Sequence, residues 1–437
     1  MPRFAAPVIG ALAVGLIAVG AVTPASAAKP PPKPVESTPK NVIYIIVDGF
    51  GAAQVELGRR MNGGTLNLTD TVPWTTRATI DSSSLEGVTD SAAGATALAS
   101  GVETLNGWVG TVPTAAGGVA PVETVLERAE DAGKATGLIS DSYITDATPA
   151  AFAAHVSDRG ENSEIAGQMA AQAIEFIFGG GLRQGSVDPL LNDPDVTYVT
   201  NTSGMQSYAD SGQDGPVYGL FGSWNMSYNL DRDDEGVTAK EPTLPQMTTA
   251  ALKVLDDDPN GFFLMVEAGL VDWAGHARDG ASLGSEMIEA DAAITTAYNW
   301  AKTRSDTLVV VTGDHETGGL KLSSRTDIAA LRGQTATTEF MWGKISAGAD
   351  IATTVKRYTG VTLSKSEVST VSACGEHGIS DVLAARWKLT WNNTCSGEGD
   401  HTGVPVPLYA WGPKSKDFAG TFYDNERVGQ NLLSYMN

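Results

Sequence analysis

Only five histidines occur in the chain, and three of them stand beside carboxylates. His276 follows Asp272 by four positions in the run Glu267-Ala268-Gly269-Leu270-Val271-Asp272-Trp273-Ala274-Gly275-His276. On a helical turn, residues i and i+4 share a face, so this pair can hold one ion. His315 directly follows Asp314, and His401 follows Asp400. Zinc accepts imidazole nitrogen and carboxylate oxygen, and catalytic zinc sites keep one position open. An isolated Asp-His pair is most often structural; three in one chain point to metal. His155, in an Ala-rich stretch, reads as a packed core histidine, and His377 as a surface or packing residue. The run Val88-Thr89-Asp90-Ser91-Ala92-Ala93-Gly94 places a serine at the head of an Ala-rich helix. Such a terminus presents free N–H groups and partial positive charge, which favours an anion such as phosphate. Helix capping by Asp90 or Ser91 explains that segment by itself equally well, and is the commoner use.

The elements that must carry these residues alternate. Apolar, Val- and Ile-rich runs at 41–47, 137–140, 262–266, 307–312 and 406–411 are predicted as buried parallel strands. Stretches with apolar spacing near 3.6 at 122–132 and 161–176 are predicted as helices. The alternation implies an α/β fold, a mostly parallel central sheet flanked by helices. Residues 318–399 break the pattern and are expected to form an insertion or small subdomain before the last core strand. Open parallel sheets bind ligands at the carboxyl ends of their strands. Asp48, Glu267 and the Asp314-His315 pair stand at such ends, Asp146 and Thr148 follow another, and His401 precedes the last strand. Turn chemistry accounts for Asp48 alone but not for this recurrence.

Composition bounds the partners. Of 437 residues, 42% are hydrophobic and 18% charged, enough apolar material for a large core. Acidic residues outnumber basic ones 51 to 29, for a net charge of −22. Nucleic acid and anionic lipid would be repelled, and an anionic substrate needs local positive charge, which metal ions can supply. Met1-Pro2-Arg3, the apolar run 4–22 and Ala25-Ser26-Ala27 read as a signal peptide over 1–27, favoured over a membrane anchor. Without a twin arginine, general secretion is expected, leaving no membrane attachment after cleavage. A Lys/Pro-rich linker spans 28–40. Cys374 and Cys395, the only cysteines, are expected to form one disulfide in an oxidising compartment.

Taken together and in order, the motifs from Asn41 to the C-terminus resemble those of the alkaline phosphatases. Asp48-Gly49-Phe50-Gly51 resembles the family's first metal motif, and Thr89-Asp90-Ser91-Ala92-Ala93 its nucleophile motif. The segment from Asp146-Ala147-Thr148 through His155 to Arg159 looks like its third-metal and phosphate-arginine segment. Glu267, Asp272 and His276, then Asp314-His315, then His401-Thr402-Gly403, follow the family's spacing. The resemblance implies a first zinc held by Asp272, His276 and His401, and a second by Asp48, Asp314 and His315, with Ser91 as fourth partner. It implies a magnesium ion on Asp48, Thr148 and Glu267, with Asp146 in its outer shell. Arg159, oriented by Asp90, would clamp the phosphate of a monoester, and Ser91 would pass through a phosphoserine. Homodimers are common in the family. Two positions depart from its best-known bacterial pattern: Thr317 replaces a histidine that supports a first-zinc carboxylate, and Trp273 replaces a lysine or histidine. A phosphodiesterase or sulfatase of the same superfold would alter the nucleophile segment or anion clamp. A non-catalytic metal- or phosphate-binding protein would be expected to lack a ligand or Ser91.

Overall fold

Seven consecutive buried residues, Asn41–Val47, make β1, and their β-branched side chains suit a strand covered on both faces. The computed structural model describes residues 37–181, 187–395 and 397–436. The expected signal peptide and nearly all of the linker lie outside them. The other strands of the main sheet are β2 (Thr76–Ile80), β3 (Ala135–Tyr143), β4 (Phe176–Gly180), β5 (Thr197–Tyr198), β6 (Val217–Leu220), β7 (Phe262–Ala268), β8 (Thr307–Thr312), β9 (Val406–Trp411) and β10 (Thr421–Tyr423). Their order is β10-β2-β9-β8-β1-β7-β3-β4-β6-β5. From β8 to β5 every pairing is parallel, with β1 seated between β7 and β8. The carboxyl ends of β1, β7, β8 and β3 therefore lie along one edge. An apolar cluster covers each face, one around Ile43, Ile45 and Val47, the other around Val42, Tyr44 and Ile46. That split is the period-two alternation of a doubly covered strand.

Three sequence expectations need correction. β9 is not parallel: it runs antiparallel to both β8 and β2. The short strand His401–Thr402 pairs with Glu316–Thr317, just past the end of β8, so the chain enters β9 at the edge where β8 finished and must run back. The helix expected over 161–176 ends at Ala171, and Phe176 opens β4. The strand expected at 137–140 runs on through polar residues to Tyr143.

Five helices place the site and its surroundings: α1 (Ala52–Met61), α2 (Ser91–Ser100), α3 (Ala147–Ala153), α4 (Leu270–His276) and α5 (Gly280–Ala301). Between the two short strands lie α6 (Ile328–Arg332), α7 (Thr338–Ser346), α8 (Ile351–Thr359), α9 (Lys365–Cys374) and α10 (Glu376–Trp387). Met341, Val355, Val371 and Leu383 of this segment belong to the same apolar cluster as Ile43 and Val311.

Cys374 and Cys395 form a disulfide, closing a separation of 21 residues across α10. Thiol titration of the unfolded, unreduced protein is expected to find no free cysteine. Reduction should destabilise this helical segment by about 2–4 kcal/mol. Two titratable thiols in protein that was never reduced would count against the bridge.

Candidate metal and phosphate site

Local sequence sets each side chain at the carboxyl edge. Asp48 leaves β1 ahead of Gly49, which has φ +75° and approaches Asp272 so closely that a Cβ would lie 2.9 Å from its Cα. Only glycine fits both demands. Asp90 caps α2, accepting from the Ala93 N–H at 3.0 Å, so Ser91 is the first helical residue. The following Gly94 lets α2 approach Asp314, where a Cβ would lie 3.1 Å from the Asp314 Cβ. Asp146 caps α3, and Asp272 and His276 share the inner face of α4. Pairing of the two short strands sets Thr317 opposite His401.

Hydrogen bonds fix the imidazole tautomers. His276 Nδ1 donates to the Gly399 carbonyl at 2.6 Å, and His401 Nδ1 to the Thr89 carbonyl at 3.0 Å. Their Nε2 atoms face one another at 3.1 Å, with Asp272 Oδ2 3.2 Å from His276 Nε2. The Thr317 hydroxyl donates to Asp272 and can then only accept from His315 Nδ1, 3.2 Å away. His315 Nε2 thus turns its lone pair toward Ser91 Oγ at 3.2 Å, Asp314 Oδ2 at 3.3 Å and Asp48 Oδ1 at 3.5 Å.

Lone pairs converging on lone pairs call for a cation. Asp48 Oδ1, Asp314 Oδ2 and Thr148 Oγ1 are buried and have no hydrogen-bond partner. Ligating atoms of Asp272, His276 and His401 lie within 4.8 Å of one another, as do those of Asp48, Asp272 and His315. Nitrogen-bearing sets of this kind fit zinc, and the oxygen atoms of Asp48, Thr148 and Glu267 suit a harder ion. Without an ion, protons take its place. Burial, then the Asp272 charge, pushes the Asp314 carboxyl up to about 8. Burial and Asp314 raise Asp48, and burial and Asp146 raise Glu267. Burial opposes the charges of Asp272 and His276, but their mutual attraction wins, holding Asp272 below the carboxylate range and lifting His276 to about 9. Burial, then the neighbouring His401, depresses His315.

Arg159 lines the same cavity as Ser91, its guanidinium donating to Asp90 Oδ2 at 3.2 Å and Asp146 Oδ1 at 3.0 Å. Its backbone N–H is held by the Gly107 carbonyl, and the Gly107 N–H returns to Asp90 Oδ2. A planar fork anchored this way suits two oxygens of one phosphate. Trp273 packs edge-on against Tyr143, with ring centroids 6.0 Å apart. His155 is a correction: half-buried, it bridges Glu127 and the Gly110 carbonyl at 2.7 Å each instead of packing in the core.

A family model described as alkaline phosphatase matches residues 39–191 and 182–436. The chain belongs to the alkaline phosphatase family. Alkaline phosphatase 3 of Bacillus subtilis is 32% identical, covering 98% of this chain and 95% of that one. The cold-active alkaline phosphatase structure from Shewanella sp. superposes with a TM-score of 0.76 at 27% identity, covering 91% of this chain and all of that one. A variant of the alkaline phosphatase from the Antarctic bacterium TAB5, described with Mg bound in its M3 site, gives a TM-score of 0.66 at 29% identity. It covers 92% of this chain and 99% of that one. This alkaline phosphatase is accordingly an enzyme acting on phosphate monoesters.

Several supporting residues escaped the sequence reading. Ser140 and Ser142 both donate to Glu267, Ser142 at 3.2 Å. Glu316 accepts from Gln54 at 2.5 Å and from Thr402, tying α1 to the two short strands. Thr317, already marked in the sequence as standing in place of a histidine, matters most, because its hydroxyl donates to Asp272. Thr317→Val keeps the shape and removes that bond. Zinc titration against a competing chelator is expected to show affinity lower by roughly 10–100-fold. Unchanged affinity would show that Asp272 needs no such support.

Proposed function

We propose that this alkaline phosphatase hydrolyses phosphate monoesters through a phosphoserine at Ser91, using two zinc ions and one magnesium ion. Asp272, His276 and His401 would hold the first zinc, and Asp48, Asp314 and His315 the second, beside Ser91. Asp48, Thr148 and Glu267 would hold magnesium, with Asp146 in its water shell. When bound, the ions supply the positive charge that acidifies the Ser91 hydroxyl and offsets charge on the leaving oxygen.

The chain's own residues do the rest. Arg159 and the free N–H groups at the head of α2 hold the non-bridging oxygens. Ser91 gives its hydroxyl proton to water as its Oγ forms a bond to phosphorus and the bond to the ester oxygen breaks, and the alcohol departs with a proton from water. A water molecule then displaces Ser91 Oγ, which regains its proton as inorganic phosphate leaves. Asp90 and Asp146 keep the guanidinium aimed throughout. The observation that carries this reading is the Ser91 hydroxyl, 3.2 Å from His315 Nε2 at a helix head, in a cavity that Arg159 also lines, held by the adjacent Asp90.

The oxidised cysteine pair supports export, and we assign the enzyme to the outside of the cytoplasm, in keeping with the signal-like sequence of residues 1–27. Among the described residues no helix is long and apolar enough to cross a membrane. Metal analysis combined with rates on a monoester, a diester and a sulfate ester tests the assignment. Zinc near two and magnesium near one per chain, with the monoester fastest, is expected. A faster diester or sulfate rate would transfer the protein to a sibling hydrolase.

A further inference from the structure

A cavity of about 530 Å³ opens over Ser91 and Arg159 and continues outward past Trp273. Its two ends differ in charge. The inner end has Arg159 and the metal ligands; the outer end is lined by Glu339 at the start of α7, Glu376 at the start of α10, and Glu398. Glu339 and Glu398 are exposed and Glu376 is half-buried. Among the described residues no lysine or arginine forms an ion pair with any of the three. Burial, then the Glu339 charge, pushes Glu376 up to about 7, and burial, then Glu235, raises Glu339.

Tyr228 lines the same cavity and is only 6% exposed. It donates no hydrogen bond within the chain, although Glu339 and Glu376 lie close enough to raise its phenol, after burial itself. A buried phenol without a partner, an indole and three unpaired carboxylates together form the kind of surface that receives an organic cation. The volume exceeds that of a phosphate group and leaves room for the alcohol portion of an ester. A net charge of −22 would also draw cationic molecules toward the protein.

The geometry points to a leaving-group subsite for positively charged alcohols: phosphate monoesters whose alcohol carries an ammonium group bind with phosphate at Ser91 and the cation among Glu339, Glu376 and Glu398. This rests on the phosphomonoesterase reading of the inner site. The occupant is the substrate itself and not a further structural metal ion, because the carboxylates line an open cavity continuous with the nucleophile.

Phosphocholine and 3,3-dimethylbutyl phosphate share a shape and differ by a permanent charge, which makes them suitable probes at any pH. The ratio of their kcat/KM values should be measured in the metal-loaded enzyme and in a variant combining Glu339→Gln, Glu376→Gln and Glu398→Gln. The ratio is expected to fall roughly tenfold in the variant, mostly through KM of phosphocholine. In the unaltered enzyme it should also fall as salt is raised to about 0.5 M, which keeps the test alive should the variant fold poorly. A ratio that responds to neither change overturns the inference. Calcium binding that disappears in the variant, with the ratio unmoved, would instead make the cluster a cation site and equally overturn it. Failure of the unaltered enzyme to hydrolyse either ester would remove the phosphomonoesterase reading underneath.

Discussion

Ser91→Ala is expected to lower kcat for a simple phosphate monoester by roughly three to six decades, with metal content near that of the unaltered enzyme. The helix head around the substitution should survive. Asp90 supplies the cap through its bond to the Ala93 N–H, and Ser91 contributes no side-chain bond to α2 itself. Alanine is also the better helix former at that position. What disappears is the hydroxyl 3.2 Å from His315 Nε2, in the cavity that Arg159 also lines. Arg159 and the free N–H groups of α2 remain, so inorganic phosphate should still inhibit. Rapid acid quenching with labelled substrate is expected to trap phosphate on the unaltered protein and none on the variant. Label recovered from any other residue would remove Ser91 from the nucleophile's place, whatever the rate loss.

The central strands were readable because burial on both faces leaves a continuous apolar run, as in Asn41–Val47 and Thr307–Thr312. Such a run carries no sign of direction, and for that reason the reversal of β9 was invisible. It is set by the pairing of His401–Thr402 with Glu316–Thr317, a contact between distant parts of the chain. The sheet margin was harder still. β2 contains Thr76, Arg77 and Thr79, and its burial alternates irregularly, so neither an apolar run nor a clean period marks it. At 161–176 the helical spacing of Ile165 and Met169 continued in phase to Phe176, hiding the turn between a helix and β4. In the site, carboxylates and imidazoles announced themselves by standing at strand ends. The groups that orient them did not. Ser140 and Gln54 are ordinary residues in sequence, and act only across chain separations of 127 and 262 residues; Thr317 stood out as a departure from the family pattern, but its bond to Asp272, 45 residues away, did not. The acidic outer wall of the cavity comes from the helical segment that interrupts the strand–helix alternation, where no motif pointed to it.

Removing the ions should cost the fold as well as the activity. Asp48, Glu267, Asp272 and Asp314 are all buried, and among the described residues no lysine or arginine forms an ion pair with any of them. Uncompensated buried charges cost several kcal/mol each, so full chelation is expected to lower the thermal midpoint by about 10 °C or more. Zinc and magnesium together should restore both midpoint and activity. The gap between loaded and stripped protein should also widen with pH, for a reason visible in the carboxyl groups. In the stripped protein Asp314 titrates near 8, and Asp48 and Glu267 are raised as well. Unfolded carboxyls titrate near about 4. Below that, both states hold the proton and the folded chain keeps its full stability. As pH rises from there, the unfolded chain loses its protons first, and stability falls until pH passes about 8. The Asp272–His276 pair divides between the two sides: the contribution of Asp272 is lost only in acid, as pH falls below the unfolded carboxyl value, whereas that of His276 is full below about 6.5 and is lost as pH rises toward about 9, adding to the fall. Ions bound to the same oxygens replace the protons and flatten the slope. Calorimetry of loaded and chelated protein at pH 5, 6.5 and 8 measures the effect directly. A gap that stays constant across the three, or closes at the highest, would mean that the buried carboxylates are balanced by something other than metal.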